Sequence, residues 1–187
     1  MDQESQHDCL FKEGSGLVYP LIEIHGREFL DLTSAAGDQL RRGIDLLNQV
    51  LQINPHNWAA MWLLGKCYQR MRDNEMALDF FARAHAIKSD QPDIAREASI
   101  AAMELRRPLD AVGFCERAIE ANPNDSGLRA NLALALLFSG QAERAQQVAR
   151  DALRRNPRDD ITLRIAKVCR EVLSGTRVCP RHVSDLT

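Results

Sequence analysis

The chain has 187 residues, enough for one well-buried domain or a short array of repeats. Charged side chains make up 27% of it, aromatics 5%, and the formal net charge is −2, which offers no electrostatic case for binding nucleic acid or an anionic membrane. The longest apolar run, NLALALLF, falls far short of the roughly 18 to 20 residues that span a bilayer, so no membrane insertion is expected.

The first residues, MDQESQHD, are polar and acidic and lack the basic and apolar regions of a secretory signal, so a cytoplasmic setting is expected. Residues 1–36 read as an N-terminal extension. Their stretch LVYPLIEIHGREFLDL is rich in strand-favouring residues, with Gly26 at a turn between LIEI and EFLDL, and predicts a β-hairpin or an extended segment. A lone hairpin is marginal in water, so it must pack on the rest of the chain or pair with another copy. Next, QLRRGIDLLNQVLQI places Leu40, Ile44, Leu47 and Leu51 on one helical face. It reads as the second helix of a pair whose first helix, expected around residues 24–37, is not evident.

From here a period governs the chain. Pro55, Pro123 and Pro157 are spaced by 68 and then 34 residues, and Ser89 stands where a fourth member would fall. Small residues keep the same register. Twelve residues before those positions stand Gly43, Ala77, Ala111 and Ala145; five before stand Val50, Ala84, Ala118 and Ala152; twenty-four before the last three stand Gly65, Ser99 and Ala133. Helices cross tightly only where neither carries bulk, so these columns predict close helix contacts. The column holding Leu47 and Phe81 becomes Cys115 and then Ala149, so bulk is kept less faithfully.

Between the helices lie stop and start signals. Proline at 55, 123 and 157 cannot continue a helix, and Asn57, Asp125 and Asp159 stand where an N-cap belongs. Pro92 and Pro108 fall at helix starts, and Gly140 suits an inter-helix turn with positive φ. The stretch DITLRIAKVCREVLSG predicts one more helix, closing near Gly175, with Lys167, Arg170 and Glu171 on a water-facing side. Residues 176–187 lack periodicity and read as a flexible tail.

These landmarks resemble the tetratricopeptide repeat (TPR) family. The clearest copy is MWLLGKCYQRMRDNEMALDFFARAHAI, with Leu64, Gly65, Tyr68, Ala77, Phe81 and Ala84 in the signature columns; the fourth unit keeps Leu132, Ala133, Gly140, Ala145, Ala152 and Pro157. The resemblance implies an all-α, right-handed superhelical solenoid of antiparallel helix pairs. It would hold about three full units over residues 37–175, with a leading helix and a C-terminal capping helix.

No phosphate-binding loop, His-Glu-x-x-His motif or nucleophile elbow is present, and the five histidines form no spaced pair on one helix. The odd number of cysteines argues against a complete disulfide framework. Cys67, Cys115 and Cys169 lie in helical text as small core residues, while Cys9 and Cys179 stand beside His7 and His182. Those four could in principle gather as metal ligands, but solvated ends are the favoured reading. No metal, cofactor or enzymatic activity is expected.

The resemblance implies that the first helices of the units line a concave groove for a protein or peptide. Residues opposite the signature columns then face that groove. They are Trp62, Lys66, Gln69 and Arg70 in one unit, Arg96, Ile100, Met103 and Glu104 in the next, and Ala130, Asn131, Leu134, Leu137 and Phe138 in the last. The pattern by which chaperone-binding members clamp a carboxylate does not fit. In one register Gly127 and Asn131 stand at two basic positions and Glu97 would repel the carboxylate; in the other Arg96 and Asn131 match in part, but Ile100, Ile161 and Ile165 fill the rest. The expected function is a non-enzymatic interaction module, with a chaperone or assembly role among those implied. The alternative is a scaffold that homo-oligomerises through its N-terminal segment.

Overall fold

The computed structural model describes residues 2–22 and 32–186. Among these residues it contains nine α-helices and no strand. They fall into two compact units, residues 1–88 and 89–187.

The first unit holds two helix pairs: α1 (Gln3–Val18) with α2 (Ser34–Ile53), and α3 (Trp58–Arg70) with α4 (Asn74–Ile87). The leading helix α2 is therefore not alone. Its partner lies at residues 3–18, inside the stretch read as an extension, and runs antiparallel to it. Gln39 donates to the Leu17 carbonyl at 2.8 Å, and Glu13 pairs with Arg42 at 2.6 Å. The sequence hides α1 because its contact with α2 is made by glycine. A Cβ on Gly43 would lie 2.4 Å from Val18 Cγ1, and one on Gly14 would lie 3.1 Å from Leu46 Cβ. Glycine lowers helix propensity, so the residues that allow the pair also blur its signal. Of residues 17–32, expected to form a hairpin or extended segment, Leu17 and Val18 instead end α1, and residues 23–31, with the turn at Gly26, lie outside the described residues.

The second unit holds α5 (Pro92–Glu104) with α6 (Pro108–Ala121), α7 (Ser126–Phe138) with α8 (Ala142–Arg155), then α9 (Asp160–Leu173) and a short 3-10 turn at Val183–Leu186. Helix α7 packs on both α5 and α9 as well as on its partner α8.

The small-residue columns mark the closest contacts. Ala77, Ala84, Ser99, Ala111, Ala118, Ala133 and Ala145 are fully buried. Ala95, Ala118 and Leu128 form one apolar cluster joining α5, α6 and α7, with Ile119 against it. Burial of Leu128 contributes on the order of 1.5–3 kcal/mol, and each buried alanine methyl about 0.8 kcal/mol. The helix starts carry the expected caps: Asn57, Asp125 and Asp159 accept from the amides of Ala60, Leu128 and Thr162 at 2.9, 3.0 and 3.1 Å. Pro92 and Pro108 stand in the first turn of their helices.

The turns inside the pairs share one geometry. At Arg72, Arg106 and Gly140 φ is +61°, +56° and +81°. In each, the amide of the positive-φ residue and the next amide bond back to helix carbonyls, as Gly140 to Leu137 at 3.0 Å and Gln141 to Leu136 at 2.9 Å. This is the Schellman motif, which satisfies the last carbonyls and reverses the chain. Gly175, with φ +74°, closes α9 in the same way through Val172 and Glu171.

Candidate functional site

The residues expected to line a groove lie on α3 in the first unit and on α5 and α7 in the second. On α3, Trp62 keeps part of its ring exposed while its Nε1 is buried without a hydrogen-bond partner among the described residues. Lys66 is only 4% exposed and donates to Gln69 Oε1 at 2.7 Å. Arg70 Nε donates to the Leu21 carbonyl at 3.2 Å, so the chain leaving α1 returns over the C-terminal end of α3. Lys66 thus bonds within its own helix, and Arg70 ties α3 to the chain leaving α1.

On α5, Arg96 reaches across the inter-repeat joint to Asp125, Nη2 to Oδ2 at 3.1 Å, and also pairs with Asp93. Since Asp125 caps α7, this arginine ties α5 to the start of the next first helix. A Cβ on Gly127 would lie 3.4 Å from Arg96 Nη2, so a small residue there leaves the guanidinium its place. One turn on, Asn131 Nδ2 donates to Ser99 Oγ at 3.5 Å, a long contact between α7 and α5. Ile100 and Leu134 remain partly exposed on the same face, whereas Met103, Leu137 and Phe138 are buried. Of the apolar residues expected to line the groove in the second unit, Ile100 and Leu134 are the ones left partly open, with Arg96, Asn131 and Glu104 on the same helices.

Residues 176–186 are not a loose tail. Arg177 pairs with Glu171 at 3.3 Å and donates to the Asp185 carbonyl. The Cys179 thiol donates to the Leu137 carbonyl at 3.1 Å, Pro180 is buried, and His182 Nε2 lies 3.6 Å from Glu104 Oε2. Amides of Arg181 and His182 donate to Asp185 at 3.0 and 3.1 Å and hold its carboxyl below the usual range. Cys179 and His182 thus serve packing at α7 and α5. The sequence signal was the need to cover NLALALLF, a helix apolar nearly all round, combined with a proline at 180 that removes an amide needing a partner.

Burial pushes the Cys67 and Cys115 thiols up to about 12 and the Cys169 thiol to about 11, so all three stay protonated and unreactive at neutral pH. Among the described residues no group of three His, Cys, Asp or Glu side chains is arranged to hold a metal ion, and no helix is long and apolar enough to cross a membrane.

Two tetratricopeptide repeat profiles match the chain, over residues 35–98 and 114–147, together just over half of it. No curated protein matches it by sequence. Among solved structures it is similar to MamA, at 13% identity and a TM-score of 0.74 over 91% of this chain and 84% of that one. It is also similar to YrrB, a TPR protein with an unusual peptide-binding site, at 20% identity and a TM-score of 0.65 over 76% and 73% of the two chains. The O-GlcNAc transferase of Thermobaculum terrenum matches at 16% identity and a TM-score of 0.57, over 83% of this chain but only 27% of the transferase. At these identities the likeness is one of fold.

Proposed function

The chain belongs to the tetratricopeptide repeat family, and on that premise we propose that it is a non-enzymatic interaction module binding an extended protein segment on the first-helix faces of its repeats. The observation that carries this reading is the pairing of Ile100 and Leu134. Two apolar side chains on neighbouring first helices stay partly exposed, between polar groups that can orient a peptide backbone. A small apolar centre with a polar rim is the common anatomy of peptide-recognition faces. In the first unit Trp62 and Gln69 take the corresponding role, and tryptophan is enriched among residues that dominate binding energy. The repeat region over residues 37–175 carries the activity.

Leu137, Phe138 and Met103 form the floor beneath this face, so replacing them tests folding before binding. The clean test keeps the floor and alters the partly exposed apolar centre. A peptide selected from a displayed library on the wild-type chain should lose at least ten-fold in affinity for Ile100→Glu or Leu134→Glu, with helicity unchanged. Equal affinity for wild type and both variants would reject the reading.

A further inference from the structure

The path of residues 176–186 has a consequence for what the second unit can bind. After the turn at Gly175 the chain crosses three successive first helices near their C-terminal ends. Arg177 meets Glu171 on α9, Cys179 meets the Leu137 carbonyl on α7, and His182 meets Glu104, the last residue of α5. Glu104 and Leu137 are also two of the positions that the repeat pattern assigns to the groove. Exposure along the segment varies as it does in an extended ligand. Val178 is 89% exposed and Arg181 is exposed, while Cys179 and His182 are partly covered and Pro180 is buried.

The contacts define a chemistry. A carbonyl near a helix end takes a small donor side chain, the next position is a buried proline, and a carboxylate takes a cationic or imidazole group two residues further on. We propose that the C-terminal ends of α5 and α7 form a recognition site for an extended partner segment with that order of groups (small donor, proline, any residue, cation). Residues 177–183 are its resident occupant in cis. This deepens the reading of the first-helix face as a binding surface and rests on it. A short tether holds its end at an effective concentration on the order of millimolar, so an incoming segment binds only by outcompeting the resident one. The module is then self-covered until such a partner arrives.

The test uses the full chain and Cys179 as its reporter. His182→Glu sets a carboxylate against Glu104 and should release the segment. Adding Glu104→Arg restores an opposite-charge pair and should seat it again. N-ethylmaleimide modification, followed at each cysteine by mass spectrometry, should be at least ten-fold faster at Cys179 in His182→Glu than in wild type. It should return to the wild-type rate in the double variant. Cys115, buried in α6 away from the segment, should stay slow throughout, which separates release of the segment from unfolding. A labelled synthetic peptide of residues 176–187 should bind His182→Glu at least ten-fold more tightly than wild type. An unchanged Cys179 rate, no recovery in the double variant, or equal peptide affinity for the two chains would overturn the proposal. Loss of library-peptide binding in Ile100→Glu alongside any of those results would leave the binding face standing and remove only its resident occupant.

Discussion

Gly65 of α3 lies so close to Phe81 of α4 that a Cβ on it would stand 2.5 Å from Cε1 and 2.6 Å from Cδ1 of the buried ring. The pair crosses at this point because one partner has no side chain. Gly65→Ala should therefore destabilise the protein by up to about 2 kcal/mol. Overpacking costs roughly 1–3 kcal/mol, and the helix-propensity gain of alanine over glycine offsets about 1. Phe81→Leu should relieve part of this, so that the double variant, measured by denaturant unfolding, loses less than the sum of the single changes. Strict additivity would contradict the contact.

The intra-pair turns carry the opposite liability. Arg72 and Arg106 hold φ of +61° and +56°, a region that costs L-residues roughly 1 kcal/mol, where the equivalent position at 140 is glycine. Arg106→Gly should raise stability by up to about 1 kcal/mol in urea unfolding, because the strain removed exceeds the added chain entropy. Gly140→Arg should lower it by a similar amount.

Asp125 has two tasks, capping α7 through Leu128 and pairing with Arg96. Asp125→Asn keeps the cap and loses the ion pair, which is partly exposed and worth little, so it should cost under about 1 kcal/mol. Asp125→Ala loses both and should cost about 1–2 kcal/mol. Equal losses would mean that the pair with Arg96, not the cap, holds the joint.

The buried thiols set an alkaline limit. Cys67 and Cys115 ionise near 9 in the unfolded chain and near 12 in the folded one, so the unfolded state sheds its protons first. Their contribution is intact below pH 9 and falls as pH rises toward 12, by about 1.4 kcal/mol per pH unit for each thiol. Urea unfolding at pH 8, 9, 10 and 11 should show wild type losing stability more steeply than Cys67→Ala/Cys115→Ala. Parallel curves would contradict the burial of these thiols.

The repeat frame was legible because it rests on single residues with one physical role. Small residues at helix crossings, prolines past helix ends and Asn or Asp at helix starts recur every 34 positions, and the buried columns and capping bonds stand where that spacing puts them. Helix α1 was not legible, since Gly14 and Gly16 weaken its pattern and a long connection separates it from α2. The turns at Arg72 and Arg106 were hidden because arginine is no signal for positive φ. At the candidate site, helical spacing located the first-helix face but could not weigh burial. Lys66, Met103, Leu137 and Phe138 share the spacing of Ile100 and Leu134, yet neighbouring chain covers them. Nor could periodicity place residues 176–186, whose contacts at Leu137 and Glu104 are made by a segment without any period.

The central claim, that binding resides on the first-helix face, is tested most directly by comparing the two sides of one repeat. Isothermal titration of a library-selected peptide would be run against wild type, Ile100→Glu on α5 and Glu120→Lys on the exposed side of α6. Ile100→Glu should lose at least ten-fold in affinity, and Glu120→Lys should bind as wild type does. Loss in Glu120→Lys with full binding by Ile100→Glu would contradict the claim.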